Sequence, residues 1–521
     1  MLDRLVKLDA GPLADAFKAC RSHFAYLLLF SAALNLLYLA PSLYMLNVYD
    51  RVMASGGVLT LVFLTMALAV SLICLSLLDA LRGRLLVAAN QRLERMLAPH
   101  LLRLTMRGDP GQGRSRSQLL RDFDTFRTAV TGAPALAACD LPWMPFFVFI
   151  CFLIHPAVGA LALGGGALLV MVAIAGEQAM RGSLRRQAEA ASSYAVVEND
   201  AAYAEVGRVM GMRDALITRQ LGSRINLSSS QGQIATTVGG YSAITKFLRQ
   251  ALQSCALGLG AYLAVERQIS AGGIIACSIL AARAFSPLEQ VVTAWRQLGQ
   301  GLQAFGSIRK ALQEQGQDVP RTALPAPRGA LSAERIFVRA QNNEAFILQG
   351  INFAIDPGEI VGVVGPSGAG KTTLMRVLSG GLKPDQGKVR LDGASLDDWN
   401  PEALGRHIGY VPQDVGLFAG TIGANISRFS ERDETVDAMV VAAAQSAGAH
   451  DLILRLPRAY ETEIGPNGRG LSAGQAQRIA LARALFGLPK LIILDEPNAH
   501  LDAQGEASLL EALKATRARG A

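Results

Sequence analysis

Three short stretches carry the residue types from which phosphate chemistry is built. The first, GPSGAGKTT at 365–373, fits the pattern G-x-x-x-x-G-K-[ST]. Gly365, Gly368 and Gly370 let the backbone turn its N–H groups onto phosphate oxygens, with Pro366, Ser367 and Ala369 between them. The helix that follows adds the positive end of its dipole. Lys371 is placed to reach terminal phosphates, Thr372 to offer a hydroxyl to Mg²⁺, and Thr373 to carry the motif into the helix. The second stretch, LSAGQ at 471–475, opens a helix expected over Gln477–Phe486. Ser472 and Gly474, with Gln475 beside them, present a second helix N-terminus to a phosphate. The third, LIILDEP at 491–497, is a buried-strand pattern that ends in two carboxylates. Asp495 suits a Mg²⁺ ligand and Glu496 a general base for an attacking water. Gln413, at the end of the strand-like run His407–Val411, is a further Mg²⁺ candidate. Each motif alone has a plainer reading, as a glycine-rich turn, a loop glutamine or a solvated carboxylate pair. It is their order along the chain that sets those readings aside.

These residues need a strand before the phosphate loop and a helix after it. The apolar runs Ile360–Val364 and Leu374–Leu378 are expected to supply them, in an α/β P-loop ATPase domain over 331–521. With 521 residues the chain exceeds what one core supports, so a second domain is required. At 51% hydrophobic, 18% charged and a mean hydropathy of +0.28, that domain is expected in a membrane. The reading is an all-α transmembrane domain of six helices over 1–312, then a linker rich in proline, glycine and glutamine at 313–330. The six cysteines are scattered, with no C-x-x-C pair, and read as packing residues.

Charge-free runs mark the spans. Phe24–Leu46 and Val52–Leu78 form one hairpin. Leu141–Gly176 holds another, turning at His155-Pro156, with its first helix beginning near Ala129. Asp140 then falls inside a span, where an ionisable group should face protein or water. Gln250–Val265 and Gln268–Ala282 are short for spans and are read as the fifth and sixth, the alternative being four spans with a buried hairpin. Arginines crowd the long segments 79–128 and 177–246, while the short turns carry only Arg51 and Arg267, so the long segments and both termini are expected in the cytoplasm. The same pattern accounts for the net charge of +8 without nucleic acid. Leu119, Leu120, Phe123, Phe126 and Val130 share one helical face, which suits either packing or a lever that passes motion between domains. Glu198–Gly211 suits the same lever role.

Taken together the chain resembles the ATP-binding-cassette transporters, and more narrowly the permease/ATPases of type I secretion systems. The resemblance runs over about 20–512 and rests on NVYDRV (47–52), DLPWMPFF (140–147), HPAVGALAL from 155, GPSGAGKTT, VPQDVGLFAGTIGANI (411–426) and LDEPNAHLDAQGE (494–506). It implies a homodimer that sandwiches two ATP, each with Mg²⁺, between the P-loop of one copy and LSAGQ of the other. It likens Gln413 to the Q-loop glutamine and Asp502 to the D-loop aspartate. As partners it implies a periplasmic membrane-fusion adaptor, an outer-membrane channel and an exported protein with a C-terminal signal, at the bacterial inner membrane. The function expected is ATP-driven protein export. A lipid or drug exporter and a non-hydrolysing scaffold subunit are the alternatives.

Several features depart from the family pattern. Ala473 replaces a usual glycine. Ala340 stands where an adenine-stacking aromatic is usual, with Phe337 and Phe346 as substitutes. After Asp502 a helix is expected over about Gly505–Thr516. The family then adds a strand and a histidine that contacts the γ-phosphate, a place that none of the six histidines takes. The ATPase domain is therefore read as truncated at its C-terminus, binding ATP and hydrolysing it slowly.

Overall fold

The computed structural model describes residues 11–107, 116–191, 204–314, 324–340 and 345–521. They divide into two compact units, the helices up to Glu314 and an α/β body from residue 324 onward.

Proline and glycine set most of the breaks in the helical unit. Helix α1 (Pro12–Leu37) breaks at Tyr38 and Leu39, just before Pro41, and α2 (Ala40–Asn47) continues from there. A π-turn at Val48–Val52 leads to Gly56, whose left-handed φ of 63° turns the chain into α3 (Val58–Arg107). Gly132 separates α4 (Arg116–Thr131) from α5 (Ala133–Asp140). A 3₁₀ turn at Leu141–Trp143, holding Pro142, leads to α6 (Met144–Ile154). Extended His155 then joins α6 to α7 (Pro156–Ala191), which starts on proline. Two long helices complete the unit, α8 (Arg213–Val265) and α9 (Ala271–Glu314).

Among the described residues, five helical stretches are long and apolar enough to cross a membrane: Pro12–Ser55, Val58–Met106, Gln118–Ile154, Pro156–Gly176 and Ala271–Trp295. Six were expected, and Gln250–Val265 is the one not among these five. That run continues α8, where Arg249 and Glu266 bound it and Gln250, Gln253 and Ser254 dilute its apolar character. Helix α9 is the axis of the packing. Its first half buries Cys277, Leu280, Ala284 and Phe285 against Phe147 of α6 and Leu169 of α7. Its second half sets Phe305 and Ile308 against Leu93 and Leu97 of α3 and Phe123 and Phe126 of α4. The apolar face of α4 is thus a packing face of its own unit. Residues 198–203 of the second lever candidate lie outside the described residues.

In the α/β body, β1 (Leu331–Arg339) and β2 (Phe346–Ile355) pair antiparallel from Leu331↔Ile355. The helix α10 (Lys371–Leu378) intervenes in sequence, and β3 (Gln386–Leu391) then pairs on the other side of β1 from Leu331↔Leu391. The order β2-β1-β3 ends in a two-residue strand at Ala394–Ser395. Ile336, Val338, Leu348, Leu374 and Val377 form the core between this sheet and α10. A second, parallel sheet pairs β4 (Ile408–Val411) with β5 (Leu491–Leu494), from Ile408↔Leu491 to Val411↔Leu494. Around it lie α11 (Ile422–Ile426), α12 (Glu434–Ser446), α13 (Ala473–Leu485) and α14 (Ala503–Ala518). They share a core of Ile422, Ile426, Val440, Ile479 and Leu481.

The run Ile360–Val364, expected as a strand, is not one. Its residues pair with no strand among those described, and Val364 is 94% exposed. A β-branched run favours a pleated surface, but a strand also needs a neighbour to bond to.

Candidate functional site

The phosphate loop forms because its glycines adopt what other residues resist. Gly368 and Gly370 sit at φ 81° and 89°, and Gly370 is the N-cap from which α10 starts. Helix α10 begins at Lys371, three residues earlier than the apolar run predicts, so Lys371, Thr372 and Thr373 form its first turn. The loop is bound to the body through Gly370, where a Cβ would lie 3.0 Å from Leu348 Cδ2 and 3.1 Å from Ile347 Cγ2 of β2. Lys371 Nζ donates to the carbonyls of Gly365 (2.8 Å) and Pro366 (3.0 Å), which holds its charge at the loop.

Two strand ends bring the remaining groups to this loop. Because β4 and β5 are parallel, Gln413 and the Asp495–Glu496 pair emerge at the same end. The Asp495 amide donates to Val411 O at 3.0 Å and continues the pairing by one bond. Thr372 Oγ1 donates to Gln413 Oε1 at 3.4 Å, and Gln413 Nε2 donates to Glu496 Oε2 at 3.0 Å. Thr372, Gln413 and Glu496 therefore form one hydrogen-bonded chain across three elements. Glu496 takes a left-handed φ of 50°, a strained setting for a non-glycine residue and one that clusters at functional sites. Asp495 is 4% exposed, and its Oδ2 has no hydrogen-bond partner. A buried acceptor in that state is costly unless a cation takes it. The Thr372 hydroxyl, the Gln413 amide oxygen and this carboxylate are all oxygen donors, the type that suits a hard cation such as Mg²⁺. Tyr410 lies nearby, its hydroxyl pushed up by burial and by the Asp495 carboxylate.

The other predicted residues form a second group. Ser472 caps α13 in a capping box: Gln475 N donates to Ser472 Oγ (3.3 Å), and Ser472 N donates to Gln475 Oε1 (2.9 Å). The helix thus starts at Ala473, four residues before the sequence expectation, and Ala473 is exposed at its first turn. Gly474 is required by contact, since a Cβ there would lie 2.7 Å from His500 O. Asp502 caps α14 by accepting from Gly505 N at 2.8 Å and pairs with Arg478. The Gly505 amide and the Arg478 guanidinium hold its carboxyl below the usual range.

Two residues of α13 were missed. Gln477 donates to Pro497 O at 3.1 Å, tying the helix to the Asp-Glu-Pro turn, and Arg478 ties it to Asp502. Their sequence signal was their place directly behind LSAGQ. Nearby, the fully buried Asn425 accepts from Phe418 N (2.9 Å) and donates to Phe418 O (2.9 Å) and Thr421 O (3.1 Å), fixing the segment after Gln413. Of the adenine-stacking candidates, Phe346 lies edge-on to Phe337 (5.6 Å) with the Arg339 guanidinium over it (5.2 Å), next to the Ile347 that meets Gly370.

Helical spans followed by this P-loop body define an ATP-binding-cassette transporter, and the ABC transporter family model matches residues 348–499. A bacterial Atm1-family ABC exporter with ATP bound has the same fold, at TM-score 0.74 and 23% identity over 95% of this chain and 89% of that one. The chain is 40% identical to the type I secretion system ATP-binding protein PrsD of Rhizobium meliloti (strain 1021), over 98% of its own length and 88% of the relative. It is 28% identical to the leukotoxin translocation ATP-binding protein LktB of Mannheimia glucosida, over 98% and 73%. The chain belongs to the ATP-binding proteins of type I secretion systems.

Proposed function

We propose that this chain uses Mg-ATP binding and hydrolysis to drive a polypeptide across the bacterial inner membrane, as the energising subunit of a type I secretion system. The observation that carries the reading is the Thr372–Gln413–Glu496 chain, with the orphaned oxygen of Asp495 on the residue before Glu496. The backbone of 365–370 and the start of α10 cradle the phosphates, and Lys371 places its charge on them. When bound, Mg²⁺ neutralises charge on the phosphoryl oxygens. Thr372, Gln413 and Asp495 would hold it, and Glu496 would orient the attacking water and take its proton.

Ser472, Gly474, Gln475 and Asp502 serve the nucleotide of a second copy in a homodimer. Residues 1–312 form the membrane domain, with Gln250–Val265 crossing as a short fifth of six spans, 313–330 the linker and 331–521 the ATPase domain, with both termini in the cytoplasm. A periplasmic adaptor and an outer-membrane channel complete the path for a protein that carries a C-terminal signal. Membership of the secretion family favours protein cargo over lipid or drug.

The test separates binding from turnover. Glu496→Gln is expected to lose about 10² to 10⁴ in phosphate release while keeping ATP binding. Lys371→Ala is expected to weaken binding itself. Equal binding of labelled ATP by wild type and Lys371→Ala would sink the P-loop assignment.

A further inference from the structure

The first hairpin is held to the rest of the helical unit very differently at its two ends. Toward the chain termini, Phe17 of α1 meets Phe126 (6.1 Å) and Phe305 (6.5 Å), and Leu93, Leu97 and Leu101 of α3 are fully buried in the same cluster. A buried polar knot locks that end further. Arg82 of α3 donates to both oxygens of Asp140 (3.0 and 3.2 Å) and to Ser31 Oγ (3.2 Å), and Asn35 donates to Asp140 (3.3 Å).

The other end is loose. In the most apolar stretch of Val58–Met106 no residue is buried, against 61% of the corresponding stretch of Ala271–Trp295. Lipid tails solvate such side chains as well as protein does, so apolar burial supplies little force to keep this half in place. Among the described residues, one carboxylate supplies the side-chain hydrogen bonds from this half to α9, beside the packing of α2 on that helix. Asp50, in the π-turn Val48–Val52, accepts from Ser270 Oγ (2.6 Å) and from the Gly272 amide (2.8 Å) at the start of α9. Ser270 Oγ in turn accepts from Gly273 N at 3.1 Å. Asp50 thus caps α9 from a segment 220 residues away, where a negative charge meets the positive helix end. The approach is close, since a Cβ on Gly272 would lie 2.6 Å from Leu46 O. Between the two ends α1 breaks at Tyr38, whose ring carries the Arg283 guanidinium at 3.9 Å.

We propose that the Asp50–Ser270–Gly272 contact is a latch. When it opens, the 40–78 half of the hairpin swings from the helix break at Tyr38–Leu39, while the Arg82–Asp140 knot and the phenylalanine cluster stay fixed. Opening of the membrane unit is therefore one-sided, and Asp50 sets how often it occurs. The inference rests on the exporter reading only for its use in transport; the motion itself is measured without nucleotide or cargo.

The test uses the full-length chain in lipid nanodiscs, with native cysteines replaced and spin labels placed in pairs. Ser55→Cys with Gln268→Cys reports the latched end, and Gly83→Cys with Ala138→Cys the fixed end. All four positions are exposed. Asp50→Ala is expected to lengthen the Ser55–Gln268 distance by about 5 Å, one helical turn, with the Gly83–Ala138 distance unchanged. Ser270→Ala, a milder lesion, is expected to broaden the same distribution. An unchanged Ser55–Gln268 distance in both variants overturns the latch, and so does equal lengthening at both ends, which is general loosening. A protein that fails to hydrolyse ATP leaves both readouts intact, so failure of the enzymatic reading is distinguishable from failure of this one.

Discussion

Replacing Asp495 by asparagine is expected to move stability and nucleotide response in opposite directions. Asp495 is 4% exposed, with an oxygen that no donor satisfies. An unsatisfied buried polar group costs about 1–3 kcal/mol, and more when charged. Asparagine removes the charge and keeps the shape, but leaves its amide group in the same unpartnered place, so only the charge part of the cost is recovered. The Mg²⁺-free protein should therefore gain up to about 1 kcal/mol, or roughly 2–4 °C in the melting temperature of an α/β body of this size. Wild type in Mg-ATP at a hundredfold excess over Kd should itself gain about 2.7 kcal/mol, or roughly 5–11 °C. Asp495→Asn should lose most of that increment, because the ligand that the buried oxygen awaits is no longer held. The assay is calorimetry in nanodiscs with and without Mg-ATP, following the transition that nucleotide shifts. A variant that melts lower than wild type without Mg²⁺, yet keeps the full Mg-ATP increment, would refute both the orphan argument and the metal assignment.

Three further outcomes are expected. Gly474→Ala forces a shift where a Cβ would meet His500 O at 2.7 Å, so phosphate release should fall about 10²-fold with ATP binding kept, as measured by turnover and filter binding. Phe126→Ala empties the centre of the Phe17–Phe126–Phe305 cluster and should cost about 3–5 kcal/mol, read from chemical unfolding of the purified protein in detergent. In a cysteine-free background, Ser55→Cys and Gln268→Cys should react with an impermeant thiol reagent from the periplasmic side and Arg116→Cys should not; labelling of the last would reverse the proposed orientation.

The site was legible because its chemistry is local. The glycines of 365–370, the Lys371–Thr372 step, the Ser472…Gln475 cap and the Asp495–Glu496 pair each declare themselves within a few residues. What the sequence hid is non-local. Nothing near Asp140 announces Arg82, 58 residues earlier, and nothing near Ser270 announces Asp50. Ile360–Val364 has the composition of a strand, but hydrogen-bonded neighbours decide whether it becomes one. The early starts of α10 and α13 have a shared cause. Apolar periodicity marks where a helix packs, while Gly370 and Ser472 mark where it begins.

Asn425 has a consequence for how the segment after Gln413 moves. Its amide accepts from Phe418 N and donates to Phe418 O, as the backbone of a neighbouring strand would. One side chain thus stands in for a missing stretch of ladder, and the loop is rigid without belonging to a sheet. The Phe418 ring is 61% exposed, but its amide should exchange with solvent as slowly as a core strand. Glutamine, one methylene longer, cannot reproduce the paired geometry, and protection at Phe418 should disappear with it. An exposed aromatic on a rigid backbone also loses little conformational entropy when something binds to it.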